Sequence, residues 1–241
     1  MAVVARFEVP DGWTVQAFQF TLNPTDDQAR ALARHFGARR KAYNWTVATL
    51  KADIDVWHAT GIETVKPSLR VLRKRWNTVK NDVCVNGENG AVWWPECSKE
   101  AYADGIRGAV DAYWNWQNSR SGKRAGNRVG FPRFKRKGRD ADRVCFTTGA
   151  MRVEPDRRHL TLPVIGTVRT HENTRRIERL IRSGRARVLA ISCAAMAPGW
   201  MRVYGCWSNA LSNPMSRYLI RGWVSMSGCG GWPRWPPLTA R

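Results

Sequence analysis

In Gln16–Leu22 the positions Phe18, Phe20 and Leu22 alternate with Gln19 and Thr21, a period of two that predicts a short strand with one buried face. Pro24 ends it. Thr25 stands three residues before Gln28, the spacing of a capping box, and Asp26 and Asp27 place negative charge at the positive end of a helix dipole. From there Leu32, Phe36, Tyr43, Val47 and Leu50 recur at spacings of three, four or seven, predicting an amphipathic helix to about residue 52. Its other face is expected to carry Arg34, Arg39, Arg40 and Lys41, either as a solvated basic face or as contacts to RNA or DNA. A second helix is expected over 68–80, with Leu69, Leu72, Trp76 and Val79 facing inward and Arg70, Arg73, Lys74, Arg75 and Lys80 outside. Ser98 can cap a third, running through Ala101, Ile106, Ala109, Ala112, Tyr113 and Trp116. Of Tyr113, Trp114 and Trp116, two are expected in the core and one exposed, where it can stack on a base.

Beyond residue 143 the period returns to two. Short strands are predicted at Val144–Thr147, Met151–Glu154, His159–Leu162 and Gly166–Arg169, separated by turns at Gly149, Pro155, Asp156 and Pro163, as in an antiparallel meander. Asn173–Ser183 is a short helix stopped by Gly184, and Arg185–Ile191 is a further strand.

Between these halves, from Ser121 to Arg143, neither period holds. Nine basic residues stand against Asp140 and Asp142, while Gly122, Gly126, Gly130, Pro132 and Gly138 disfavour a continuous helix. An extended basic loop is expected, anchored by Phe131 and Phe134. Its candidate phosphate contacts are Lys123, Arg124 and Arg128, then Arg133, Lys135, Arg136, Lys137 and Arg139, to which Arg39, Arg40 and Lys41 of the first helix are added.

Charge changes the picture further. The 241 residues carry 40 Lys and Arg against 19 Asp and Glu, a formal net charge of +21. A chain this basic repels itself unless something acidic neutralises it, and a phosphate backbone is the usual partner. No stretch is long and apolar enough for a membrane span, and the opening residues, with Arg6, Glu8 and Asp11, do not form a secretory signal, so no membrane partner and a cytoplasmic location are expected. The six cysteines are scattered without a C-x-x-C pair, which argues against a zinc ribbon or a disulfide framework within these residues.

The phrases QAFQFTLNPTDDQARAL, ARRKAYNWTVA, FPRFKRKG, LTLPVIGTVRTHE and ARVLAIS, in this order over residues 15–191, resemble the amino-terminal half of the TnpB/OrfB family encoded by insertion sequences. The resemblance implies an α+β fold: a split, wedge-like antiparallel β-domain (15–24 and 144–191) interrupted by a helical, helix-turn-helix-like recognition module (25–120) and the basic loop (121–143). It implies DNA and guide-type RNA as partners. The family's RNA-guided DNA cleavage resides in a later nuclease domain, whose carboxylates bind Mg²⁺ and which carries a zinc ribbon. No cofactor and no catalytic residue are therefore expected within these 241 residues.

After Ile191 the resemblance ends. Ser192–Arg241 has no Asp or Glu but holds five of the 13 Trp and four of the six Met. Reading one base earlier, Trp223 with Val224 must give glycine, and Trp232 with Pro233 and Trp235 with Pro236 must give alanine. With GC-rich choices elsewhere, Trp223–Arg241 becomes GVDVGVRRLATVATADGT, which resembles the family's first nuclease motif, its aspartate codon straddling Ser225 and Met226. Residues 192–241 are thus read as an out-of-frame, largely unstructured tail that forms no domain. The alternative is a stand-alone basic RNA- or DNA-binding module with a selected tail.

Overall fold

The computed structural model describes residues 13–61, 67–147, 151–195 and 201–210. Its centre is a seven-stranded antiparallel sheet. The strands are β1 (Trp13–Asn23), β2 (Arg143–Phe146), β3 (Arg152–Val153), β4 (His159–Leu162), β5 (Gly166–Thr170), β6 (Ala186–Ala195) and β7 (Met201–Ala210), in spatial order β2-β6-β7-β1-β5-β4-β3. Three helices are inserted between β1 and β2: α1 (Asp26–Thr60), α2 (Leu69–Val83) and α3 (Lys99–Arg120); α4 (Arg175–Arg182) lies between β5 and β6. The class is α+β.

Local chemistry accounts for the helix ends. Thr25 Oγ1 accepts from the Gln28 N–H and the Gln28 side chain accepts from the Thr25 N–H, closing the capping box of α1. Ser68 and Ser98 cap α2 and α3 in the same sense. α1 runs eight residues past its expected end near 52 and stops where Gly61 adopts φ +67°, a left-handed conformation that glycine takes without steric cost. One apolar cluster joins sheet and helices, including Phe20 and Leu22 from β1, Leu32, Phe36 and Leu50 from α1, Leu72 and Trp76 from α2, Ile106 and Val110 from α3, and Phe146, Leu160 and Ile191 from the later strands.

α1 and α3 approach closely because α3 presents glycines. A Cβ at Gly105 would lie 2.3 Å from the Arg39 carbonyl oxygen and 3.0 Å from Ala42 Cβ. α3 also closes the edge of the sheet. Its Glu100 and Asp104, about 6 Å apart along the helix axis, accept from the N–H groups of Thr147, just past β2 (2.7 Å), and of Cys145 in β2 (3.1 Å). Backbone donors that an edge strand would leave to water are thereby satisfied. His35 of α1 joins the same seam. Its Nδ1 lies 2.7 Å from the Ala31 carbonyl oxygen and its Nε2 accepts from the Ser98 N–H at 3.0 Å, so the ring is neutral, and burial holds its pKa below the ordinary histidine value.

Two expectations are corrected here. The later strands do not form one meander: β3, β4 and β5 do, but β2 leaves them and pairs with β6 at the opposite edge. Nor does strand structure end at Ile191. β6 continues to Ala195, and β7 pairs with β6 on one side and with β1 on the other, from Trp13↔Ala210 to Leu22↔Met201. Backbone pairing asks only for free N–H and C=O groups along both neighbours, so it leaves little mark on side-chain periodicity. Residues 211–241 of the expected tail, and the expected turn at Gly149, lie outside the described residues. Among the described residues no helix is long and apolar enough to cross a membrane.

Candidate nucleic-acid interface

The basic loop that follows α3 is held to α1 by several side chains, Asn44 foremost. Asn44 donates from Nδ2 to the Lys135 carbonyl (2.9 Å), and its Oδ1 accepts from the Lys135 N–H (2.8 Å). Lys135 Nζ then lies 4.2 Å from the centre of the Tyr43 ring, a cation–π contact. Tyr43 is buried, which raises its pKa and keeps the phenol neutral. Ahead of this point Phe131 packs edge-on against Trp116 with centroids 5.0 Å apart, and the Val129 N–H donates to Ser119 Oγ at 3.0 Å. Behind it Asp142 pairs with Arg40. The loop is therefore irregular in backbone yet attached to both α1 and α3.

Between the loop and α1 runs a groove of about 470 Å³, lined by Arg34, Gly37, Arg40, Lys41 and Asn44 of α1, by Trp93, Glu96 and Cys97, and by Lys135. Four of these side chains are cationic and Glu96 alone is acidic. Its contact with Arg34 is long, 3.7 Å, with both side chains more than half exposed, so it does little to neutralise the groove. A second recess, of about 290 Å³, lies on the loop itself, among Arg133, Phe134, Arg136, Arg139 and Asp140.

The expected contacts divide on inspection. Lys41 is exposed in the groove, and Arg40 lines it while pairing with Asp142. Lys123, Arg124, Arg128, Arg136, Lys137 and Arg139 are exposed on the loop, although one nitrogen of Arg124 is already taken by the Asn127 carbonyl (2.9 Å). Arg133 reaches Asp140 at 3.4 Å. Arg39 is the correction. It is 3% exposed, its guanidinium lies in the α1–α3 seam beside Gly108, and it is paired with Asp104. A phosphate cannot reach it without parting the helices.

Phe134, expected as an anchor, is 54% exposed. Of the aromatic group on α3, Tyr113 is buried, Trp116 is half-buried, and Trp114 faces outward, its Nε1 donating to the Pro67 carbonyl at 3.1 Å. Asn44 and Trp93 escape a reading of the sequence alone. A lone Asn on a helix and a Trp in a turn-rich stretch give no periodic signal.

The sequence is similar to known proteins. A family model described as a helix-turn-helix domain, of the OrfB type, matches residues 14–54, which here fold as β1, the turn at Pro24 and α1 as far as Ile54. Two Mycobacterium tuberculosis proteins, from strains CDC 1551 and H37Rv, are each 78% identical to this chain over 190 residues, 79% of this chain and 41% of theirs. The chain belongs to the TnpB/OrfB family. Both relatives are named as candidate RNA-guided DNA endonucleases, and this TnpB/OrfB chain spans about two-fifths of their length.

Proposed function

We propose that this chain is the nucleic-acid-binding front half of a transposon-encoded TnpB/OrfB protein, holding guide-type RNA and DNA in the cytoplasm through the α1 groove and the basic loop. The observation that carries the reading is the loop itself: a run of exposed cations whose backbone is clamped to α1 by Asn44, beside a cationic groove. Phosphate contacts of this kind are sequence-independent and weaken as salt displaces them. Replacing Arg133, Lys135, Arg136 and Lys137 with alanine should lower the slope of log affinity against log salt by about 3, at ~0.7 per lost contact on single strands. An unchanged slope removes the loop from the interface.

Cleavage is assigned to the part of the family protein beyond this match, where Mg²⁺ and Zn²⁺ would also be held. Residues 192–241 hold no Asp or Glu, and among the described residues no three metal-ligating side chains gather. The purified chain with Mg²⁺ and a family guide RNA should leave target DNA intact. Cleavage abolished by mutating a residue of this chain would overturn that assignment.

Two readings of the tail remain distinct. The relatives match 190 residues, 79% of this chain, and the part left unmatched is compatible with a frame change. The place of β7 between β6 and β1 favours the other reading, a binding module with a selected tail. Deletion after Ile191 separates them: binding survives it if the tail is out of frame, and is lost with the fold if β7 is integral. The gene decides independently, since a frame change leaves nuclease-domain codons downstream in another frame.

A further inference from the structure

The loop displays an aromatic ring that the core does not use. Phe131 packs on Trp116, but Phe134 is 54% exposed and stands apart from the apolar cluster. It borders the recess of about 290 Å³ shared with Arg133, Arg136, Arg139 and Asp140. The frame of this recess is built. Asn44 holds the neighbouring Lys135 backbone, while Asp140 accepts from the Arg136 N–H at 2.8 Å and donates its own N–H to the Arg136 carbonyl at 3.1 Å. Gly138, at φ +77°, makes the turn that this clasp closes. Arg136 and Arg139 are exposed and form no ion pair among the described residues.

A loop that needed charge alone would gain nothing from a phenyl ring facing water. A ring flanked by guanidinium groups offers a face for a base and charge for the phosphates on either side of it. In a duplex both faces of an interior base are already stacked, so the ring competes only after unstacking. An unpaired strand presents its bases freely.

We propose that Phe134 is a stacking platform for one unpaired base, with Arg136 and Arg139 taking the adjacent phosphates, so that this recess selects single-stranded nucleic acid over duplex. The inference rests on the loop being part of the interface, as proposed above. Its test uses the full chain and four probes: a mixed-sequence RNA strand, the DNA strand of the same sequence, and a blunt duplex of each. Phe134→Ala should weaken binding of the single strands about tenfold, within the range of one lost base–aromatic stack. The duplexes should change less than about twofold, and the salt slope should not move because no cation is removed. Phe134→Trp should restore the loss. Loss on RNA alone or DNA alone supports the platform and names the strand it serves. Equal loss on strand and duplex overturns the proposal. So does no loss, in a protein whose fourfold loop variant still lowers the salt slope. If that fourfold variant leaves the slope unchanged, the reading beneath it has failed instead.

Discussion

The seam between α1 and α3 and the loop that follows α3 both draw on arginine, and they use it in opposite ways. In the seam Arg39 is buried against Asp104, and Gly105 and Gly108 provide the space it occupies. On the loop Arg136 and Arg139 stand in water beside Phe134. Arg39 and Arg40 are neighbours in sequence, yet one is interior and the other lines the groove. Charge count therefore says little about which arginine meets a phosphate. The neighbours decide: small residues and a carboxylate draw a guanidinium inward, while a run of cations with few acids leaves its members outside.

The largest test of this contrast is Arg39→Met. Removing one partner of a buried pair leaves Asp104 uncompensated and costs about 3–5 kcal/mol. Urea denaturation should show that loss, while the salt slope of nucleic-acid binding, measured on the folded fraction, stays as in the parent. Unchanged stability with a slope lowered by about one would place Arg39 on a phosphate and break the contrast. Gly105→Ala attacks the same seam without touching charge. Its Cβ would meet the Arg39 carbonyl oxygen at 2.3 Å, a backbone atom that cannot turn aside, so the helices must part at a cost of about 3 kcal/mol. A melting temperature equal to the parent's would mean that the seam is looser than its glycines imply.

Asp111 sharpens the comparison from the acidic side. It lies on α3 near Asp104 and Arg107, and burial first of all pushes its pKa up to about 6 from 3.8. A carboxyl whose folded pKa is raised contributes stability that is full below the unfolded value and is lost as pH rises through the folded one. Asp111→Asn should thus stabilise the protein at pH 7 by about 1–2 kcal/mol, after allowance for solvent screening, and change nothing near pH 4. A uniform effect across that range would mean that the residue acts through packing.

Much of this is legible in the sequence. The period of two predicts the strand His159–Leu162 to the residue, and Gly184 marks the stop of α4, where it adopts φ +70°. Both rest on local chemistry. Arg39 is placed on the outer basic face by its charge, although it lies three residues after Phe36 and four before Tyr43, on the buried stripe of α1. The pairing of β2 with β6 and the insertion of β7 were not legible, because a strand's period names its faces and not its neighbours. Nor was the clamp by Asn44, whose partner is a backbone 91 residues away.

That clamp yields the smallest effect and the finest distinction. Asn44→Ala removes two hydrogen bonds to the Lys135 backbone and, at about 1 kcal/mol net for the pair in a half-exposed site, should lower global stability little. Its consequence is local. Without the clamp the loop keeps every cation but loses the fixed geometry in which they stand, so ordering it on nucleic acid must be met from the binding energy. Affinity should fall severalfold while the salt slope keeps its parent value, the converse of the fourfold loop variant, in which the slope itself falls. Amide exchange should quicken at Lys135 and its neighbours and stay unchanged in the α1–α3 seam. If Asn44→Ala instead unfolds the seam, loop and seam are one cooperative unit. The division between buried and displayed arginines would then be a matter of exposure alone, with no separate stability behind it.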